Sequence, residues 1–265
     1  MNILFGRGRF RGRGQFRRSA VLAGALILPA TSCGGQEPPT APVVGEAAVR
    51  VLFIGNSLTY FNEMPAMLAT LLRETGTESA LVASVSRPSY GLEDHWTQSA
   101  TFDRIAEGWD VVVLQQGPSA TEGRPSLLEY SRKFAAPIRE AGAIPALYMV
   151  WPSETRFSDF AGVSSSYSDA ADQIDGLLFP AGEAWIAAWK LDTSIELYGF
   201  DRFHPSLLGS YTAAVVIYEQ LTGRDPRELP PTIPGYPDAA TPEHVRLVQQ
   251  AARQANIEHR RVATR

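Results

Sequence analysis

The chain has 265 residues, of which 45% are hydrophobic and 20% charged, enough apolar material for one large core. Its net charge of −4 is uneven: six of the 24 basic residues (Arg7, Arg9, Arg11, Arg13, Arg17 and Arg18) precede residue 19, leaving 18 bases against 28 acids. An acidic body of this kind argues against nucleic-acid binding, which depends on neutralising phosphates.

The arginine-rich head runs into an uncharged apolar stretch, 19–30, too short as a helix for a hydrocarbon core of about 30 Å. A basic segment, a short apolar core and small residues have the layout of a secretory signal. Cys33 follows, the only cysteine, so an intrachain disulfide is impossible and a cysteine metal site is not expected. The segment resembles a bacterial lipoprotein leader with Cys33 as the lipidated residue, although Ala30 stands where leucine is usual. A plain cleaved signal and an uncleaved anchor helix are the alternatives, and Arg17-Arg18 is similar to a twin-arginine export signal. Residues 1–33 are therefore read as a leader. The Pro- and Gly-rich stretch 34–47 is read as a flexible tether.

From Val49 onward, short apolar runs alternate with helical patterns. Strands are expected at Arg50–Ile54, Ser79–Val85, Asp110–Gln115, Ile144–Val150 and Gly176–Pro180. Helices are expected at Asn62–Thr75, Pro125–Ala141, Ser165–Ile174, Glu183–Lys190 and Leu207–Leu221. The alternation predicts an α/β fold, three layers with a central, mostly parallel five-stranded sheet. The main domain is placed at 48–226. Residues 227–265 are read as a Pro-rich segment and a helix at about Pro242–Ala255 that packs back on it. Ligand sites in such sheets lie outside the carboxyl ends of the strands.

The first strand leads into Gly55-Asn56-Ser57, where Gly55 permits a tight turn. Ser57 there sits at a helix entry, either as a simple cap or as a nucleophile near free backbone N–H groups. Asp201-Arg202-Phe203-His204-Pro205 precedes the closing helix. A histidine can act as base for a serine, and a nearby aspartate fixes its tautomer. Of the other histidines, His244 and His259 lie in the tail and His95 reads as partly buried. Trp96, Tyr148, Trp151 and Phe200 lie near expected loop edges, where each would either stack on a sugar ring or pack. Trp185 and Trp189, four apart on a helix, are expected to face inward. No metal-binding or nucleotide-binding motif is present, so no metal and no cofactor are expected.

The two blocks, Gly55-Asn56-Ser57 and Asp201–His204, resemble those of the SGNH hydrolase superfamily, the GDSL-like esterases, over about 49–223. The resemblance implies a flavodoxin-like SGNH hydrolase fold and a serine ester hydrolase with catalytic Ser57, His204 and Asp201. It implies an oxyanion hole from the Ser57 N–H, the N–H of Ser89 or Gly91, and a side chain after the third strand. The usual Gly-x-Asn-Asp block is replaced here by Gln115-Gln116-Gly117, similar to a subset that includes carbohydrate acetylesterases. The oxyanion role passes to Gln116, with Gln115 as alternative. The expected substrate is a small-molecule or carbohydrate ester. The expected address is the bacterial cell envelope, with membrane contact only through the leader or a lipid. Two rivals are a non-catalytic, envelope-tethered glycan-binding protein on the same fold and a flavodoxin-like binder using the Gly55–Thr59 turn for phosphate.

Overall fold

A computed structural model describes residues 49–77 and 79–259. The leader with Cys33 and the whole of the tether lie outside the described residues.

Five parallel strands form one sheet: β1 (Arg50–Gly55), β2 (Leu81–Ser86), β3 (Val111–Leu114), β4 (Ile144–Tyr148) and β5 (Leu177–Phe179), in the order β2-β1-β3-β4-β5. In β1 and β3, Val51–Ile54 and Val111–Leu114 are wholly buried. Such uninterrupted apolar runs are what a parallel strand covered on both faces requires. The edge strand β2 is half-exposed throughout, which fits its weaker pattern and its start two residues later than expected.

Around the sheet lie α2 (Met64–Glu74), α7 (Ala181–Leu191), α8 (Leu207–Thr222) and α9 (Pro242–His259), which pack on one another. A second group is formed by α3 (Leu92–Trp96), α4 (Ser99–Ile105), α5 (Arg124–Glu140) and α6 (Phe160–Gln173). The helices α3 and α4 were not expected from the sequence. They are too short for apolar periodicity to stand out, and α3 closes with local help: the Asp94 carboxylate accepts the Gly91 N–H at 2.8 Å. Helix α6 starts five residues earlier than expected, because Phe160 and Val163 pack into the core although Gly162 interrupts the pattern.

Helix α9 is part of the same core. Val245, Val248, Ala251 and Ala252 are fully buried, and each buried valine contributes roughly 1.5–3 kcal/mol. Polar groups tie the helix down: Gln249 donates to the Tyr211 hydroxyl at 2.9 Å, and Asn256 accepts from Gln220 at 2.9 Å.

The chain turns from β1 to β2 on one side and continues to β3 on the other. The crevice between the carboxyl ends of β1 and β3 is therefore a topological switch point, the favoured site for chemistry in such sheets.

Candidate active site

Ser57 opens α1 (Ser57–Tyr60), one turn directly after β1. Asn56 caps that turn: its Oδ1 accepts the Leu58 N–H at 3.1 Å, while its Nδ2 donates to the Tyr90 carbonyl at 2.9 Å. One side chain thus orients the serine and ties its turn to the loop after β2. The cap role belongs to Asn56, and the Ser57 hydroxyl is left free of it. Gly55 is needed for space and not for its dihedral angle. A Cβ there would come within 2.5 Å of Gln115 Oε1 and Thr59 Oγ1.

Asp201 and His204 stand on a short loop closed by the Tyr198–Pro205 bridge and by the Gly199 N–H donating to the His204 carbonyl at 2.7 Å. Pro205 and the Ser206 cap, whose Oγ accepts the Gly209 N–H at 3.0 Å, delay α8 until Leu207. The loop brings His204 Nε2 to 2.8 Å from Ser57 Oγ and Nδ1 to 2.6 Å from Asp201 Oδ2. A carboxylate only accepts, so the ring proton sits on Nδ1 and Nε2 accepts from the serine hydroxyl. Asp201 Oδ1 also accepts the N–H groups of Phe203 at 3.1 Å and His204 at 2.9 Å. Partial burial pushes the Asp201 carboxyl up. Hydrogen bonds from the His204 ring and from these two N–H groups outweigh it and hold the carboxyl below its ordinary range.

Packing completes the setting of His204. Phe61 stacks on the imidazole at 4.4 Å and 17°. Asn62 Nδ2 donates to the Pro205 carbonyl at 3.0 Å, tying the serine's side of the cleft to the histidine's. Trp151 Nε1 donates to the Phe203 carbonyl at 3.0 Å, and the Trp151 ring lies flat on Trp185 at 3.7 Å. Neither Asn62 nor Trp151 carries a sequence signal for this task, since both act across long stretches of chain.

The loop residues expected to hold an oxyanion fall into distinct positions. No acceptor in the described residues takes the N–H of Ser57 or of Ser89, whereas the Gly91 N–H is spent on Asp94. Ser89 is in the left-handed region at φ 61°, a conformation uncommon for serine and often found at functional loops. Gln115 is fully buried and fully used: its Oε1 accepts the Asn56 N–H at 2.9 Å and the Thr59 hydroxyl at 2.8 Å, and its Nε2 donates to the Gln116 carbonyl. It braces the serine turn. Gln116 Oε1 accepts the Leu92 N–H at 2.5 Å, and its Nε2 faces Glu93 Oε2 at 3.1 Å. Glu93 also accepts the Ser126 hydroxyl at 2.6 Å. Burial raises the Glu93 carboxyl, but these hydrogen bonds outweigh that and leave it lowered.

The remaining candidates separate by burial. Tyr148 and Trp151 are fully buried core residues and no sugar platform, whereas Trp96 is half-buried and packs edge-on against Phe102 and Phe134. Phe200 alone of that set is exposed. Trp185 is fully buried and Trp189 half-buried, both on the inner side of α7. His95 is fully and not partly buried. Its Nε2 donates to the Gly55 carbonyl at 2.8 Å, its Nδ1 has no partner, and burial holds it below the ordinary imidazole range. It is a neutral peg beneath the end of β1. His244 and His259 lie in the tail against Asp192 and Glu183.

A cavity of about 570 Å³ opens between the loops after β3 and β4, bordered by Gln116, Pro152, Ser153, Arg156 and Phe203, the residue before His204. Its one cation, Arg156, is already paired with Asp159 at 2.6 Å and Glu122 at 3.1 Å, so the cavity offers no free positive charge to an anionic ligand.

No family model matches the sequence, and no curated protein matches it. Solved structures do. A protein from Slackia heliotrinireducens, provisionally assigned to the SGNH hydrolases, is 28% identical with a TM-score of 0.58, over 66% of this chain and 99% of that one. An acetylxylan esterase from Geobacillus stearothermophilus is 16% identical with a TM-score of 0.51, over 66% and 94%. An alpha/beta hydrolase from the metagenome of Lake Arreo is 14% identical with a TM-score of 0.53, over 66% and 98%. The latter two likenesses carry the fold. The 28% identity along the whole of the Slackia chain, joined to the serine after β1 and the Asp-x-x-His loop before α8, shows that this chain belongs to the SGNH hydrolase superfamily.

Proposed function

We propose that the protein is a serine ester hydrolase, an acyl or acetyl esterase whose alcohol is a carbohydrate. The observation that carries the reading is the hydrogen-bonded series Ser57 Oγ, His204 Nε2, His204 Nδ1 and Asp201 Oδ2, at 2.8 and 2.6 Å.

In this mechanism His204 Nε2 takes the Ser57 proton as Oγ bonds to the ester carbonyl carbon. The resulting imidazolium is stabilised by Asp201. The oxyanion is held by the Ser57 and Ser89 N–H groups and by one N–H of Gln116. The carbon–oxygen bond then breaks, His204 returns its proton to the leaving alcohol, and an acyl-serine remains. Water, deprotonated by His204, attacks the acyl group, and Ser57 leaves with the proton. Gln116 enters this scheme with its amide facing Glu93, so bound substrate must share that nitrogen with the carboxylate.

A fluorophosphonate should label the protein at Ser57, read by peptide mass mapping. Absence of adduct on Ser57 in folded protein would overturn the reading and leave the non-catalytic alternative.

The expected address belongs to the same proposal. Its support is the order of basic head, short apolar run and small residues before Cys33. A lipid-anchored protein should partition with bacterial membranes, and Cys33→Ala should move it to the soluble fraction. An unchanged distribution would count against the anchor.

A further inference from the structure

On the other side of the Asp201–His204 loop lies a second groove of about 860 Å³, bounded by that loop, by the segment 193–197 and by Glu154 and Phe157 after β4. Three features describe its chemistry. First, it offers aromatic faces. Phe200 is 96% exposed and Phe157 50% exposed, while the Trp189 ring lies 5.5 Å from Phe157 and 5.7 Å from Tyr198. Second, the polar ends of those rings are already used. Trp189 Nε1 donates to the Ile195 carbonyl at 3.0 Å and the Tyr198 hydroxyl to the Pro152 carbonyl at 2.7 Å, and these two rings stack on each other, so the exposed rings of Phe200 and Phe157 are what remain for a ligand. Third, Glu154 and Glu196 line it, and Arg202, the one cation of its lining, is paired with Glu154 at 2.9 Å.

Two loops separate this groove from the cavity bordered by Gln116 and Phe203. Ser153 borders the cavity and its neighbour Glu154 the groove; Phe203 borders the cavity and its neighbour Arg202 the groove. The wall between them is the Arg202–Glu154 ion pair, reinforced by the Glu154 N–H donating to the Arg202 carbonyl at 2.9 Å. Both partners of that pair are exposed, so the wall is thin and wet.

We propose that this groove is a subsite for a neutral polysaccharide chain, holding sugar units next to the one whose ester lies at Ser57. The inference rests on the ester-hydrolase reading for the ester but not for the binding. Sugar rings present apolar C–H faces that pack on aromatic rings, and hydroxyls that donate to carboxylates. Carboxylates accept only, and with the guanidinium paired the lining repels an anionic ligand and gives a purely apolar one nothing for its acids to bind. The groove and the cavity lie on either side of one thin wall, so a ligand that occupies both is a chain and not a single sugar. Phe200 is the anchor: an almost fully exposed phenylalanine beside Asp201 contributes nothing to the core.

The test compares Phe200→Ala with the wild type on acetylated xylan, a neutral polysaccharide ester, and on p-nitrophenyl acetate, which is too small to reach the groove. The expected loss in kcat/KM on the polymer is about fivefold, carried by KM, from loss of one aromatic contact. The small ester should be turned over unchanged, and Phe200→Trp should restore the polymer rate. Equal losses on both substrates, or none on the polymer, would overturn the subsite. Should the wild type hydrolyse neither ester, the ester-hydrolase reading fails on its own, and the groove is judged by electrophoresis in gels containing xylan. Retardation of wild type that Phe200→Ala abolishes supports it; equal mobility overturns it.

Discussion

Replacing Ser57 with alanine is expected to lower kcat by roughly 10⁴–10⁶, to the level that binding and oxyanion donors sustain without a nucleophile. The fold should be unaffected. Ser57 Oγ bonds only to His204, the helical cap is supplied by Asn56, and a half-exposed serine-to-alanine change costs within about 0.5 kcal/mol. Turnover above about one per cent of wild type, in protein with an unchanged melting temperature, would remove Ser57 from the reaction. Asp201→Asn tests the same series from the other end. An asparagine at this position could not accept from both the ring and the backbone as the carboxylate does, and could hold the ring in the wrong tautomer, for an expected loss of about 10⁴ in kcat. A change in KM alone would show that Asp201 only shapes the loop. Because Asp201 is held low in the fold, its contribution to stability is present above its unfolded pKa and is lost as pH falls through the folded value. The carboxylate is therefore in place throughout the neutral range in which His204 must act as base.

The second large effect concerns stability. Glu219 of α8 is fully buried, where its carboxylate is met by Arg253 and by Asn256 Nδ2 at 2.8 Å, both from α9. Removing one member of a buried pair typically costs 3–5 kcal/mol, because the other is left as an uncompensated charge, so Arg253→Ala should cost about that much. In a domain of this size each kcal/mol lowers the melting temperature by about 2–4 °C. The loss should depend on pH in a definite direction. Burial raises the Glu219 carboxyl above its ordinary range, with Asn256 and Arg253 opposing. A raised folded pKa means that its contribution is complete below the unfolded pKa and is lost as pH rises through the folded one. Without Arg253 that rise is larger, so urea unfolding should show a greater deficit at pH 8 than at pH 5.5. Glu219→Gln in the Arg253→Ala background should recover part of it at pH 8. A deficit equal at both pH values, or below about 1 kcal/mol, would mean that Asn256 alone satisfies the carboxylate.

Much of the site was legible because its chemistry sits on local motifs. Gly55-Asn56-Ser57 follows a strand recognisable from its short apolar run, and Asp201–His204 precedes a helix with a proline and a serine at its start. What was not legible shares one cause: the partner lies far along the chain. Gln115 and Gln116 are equivalent as letters, yet one points under the serine turn and the other across to Leu92 and Glu93. Ser89 and Gly91 were likewise open alternatives until Asp94 claimed the Gly91 N–H. Trp151 looked like a candidate for a sugar face, but it lies beneath the histidine loop and stacks on Trp185.

The amino-acid sequence alone determined the α/β alternation, the five strands and the two blocks that carry the serine and the Asp–His pair. Those depend on periodicity and on neighbours within a few residues. Only the tertiary structure decided that residues 147 apart meet at 2.8 Å, which backbone N–H groups stay free, and that a phenylalanine beside Asp201 faces open solvent and not the core. Strand order sets these, because the crevice between β1 and β3 is where loops from the whole length of the chain converge.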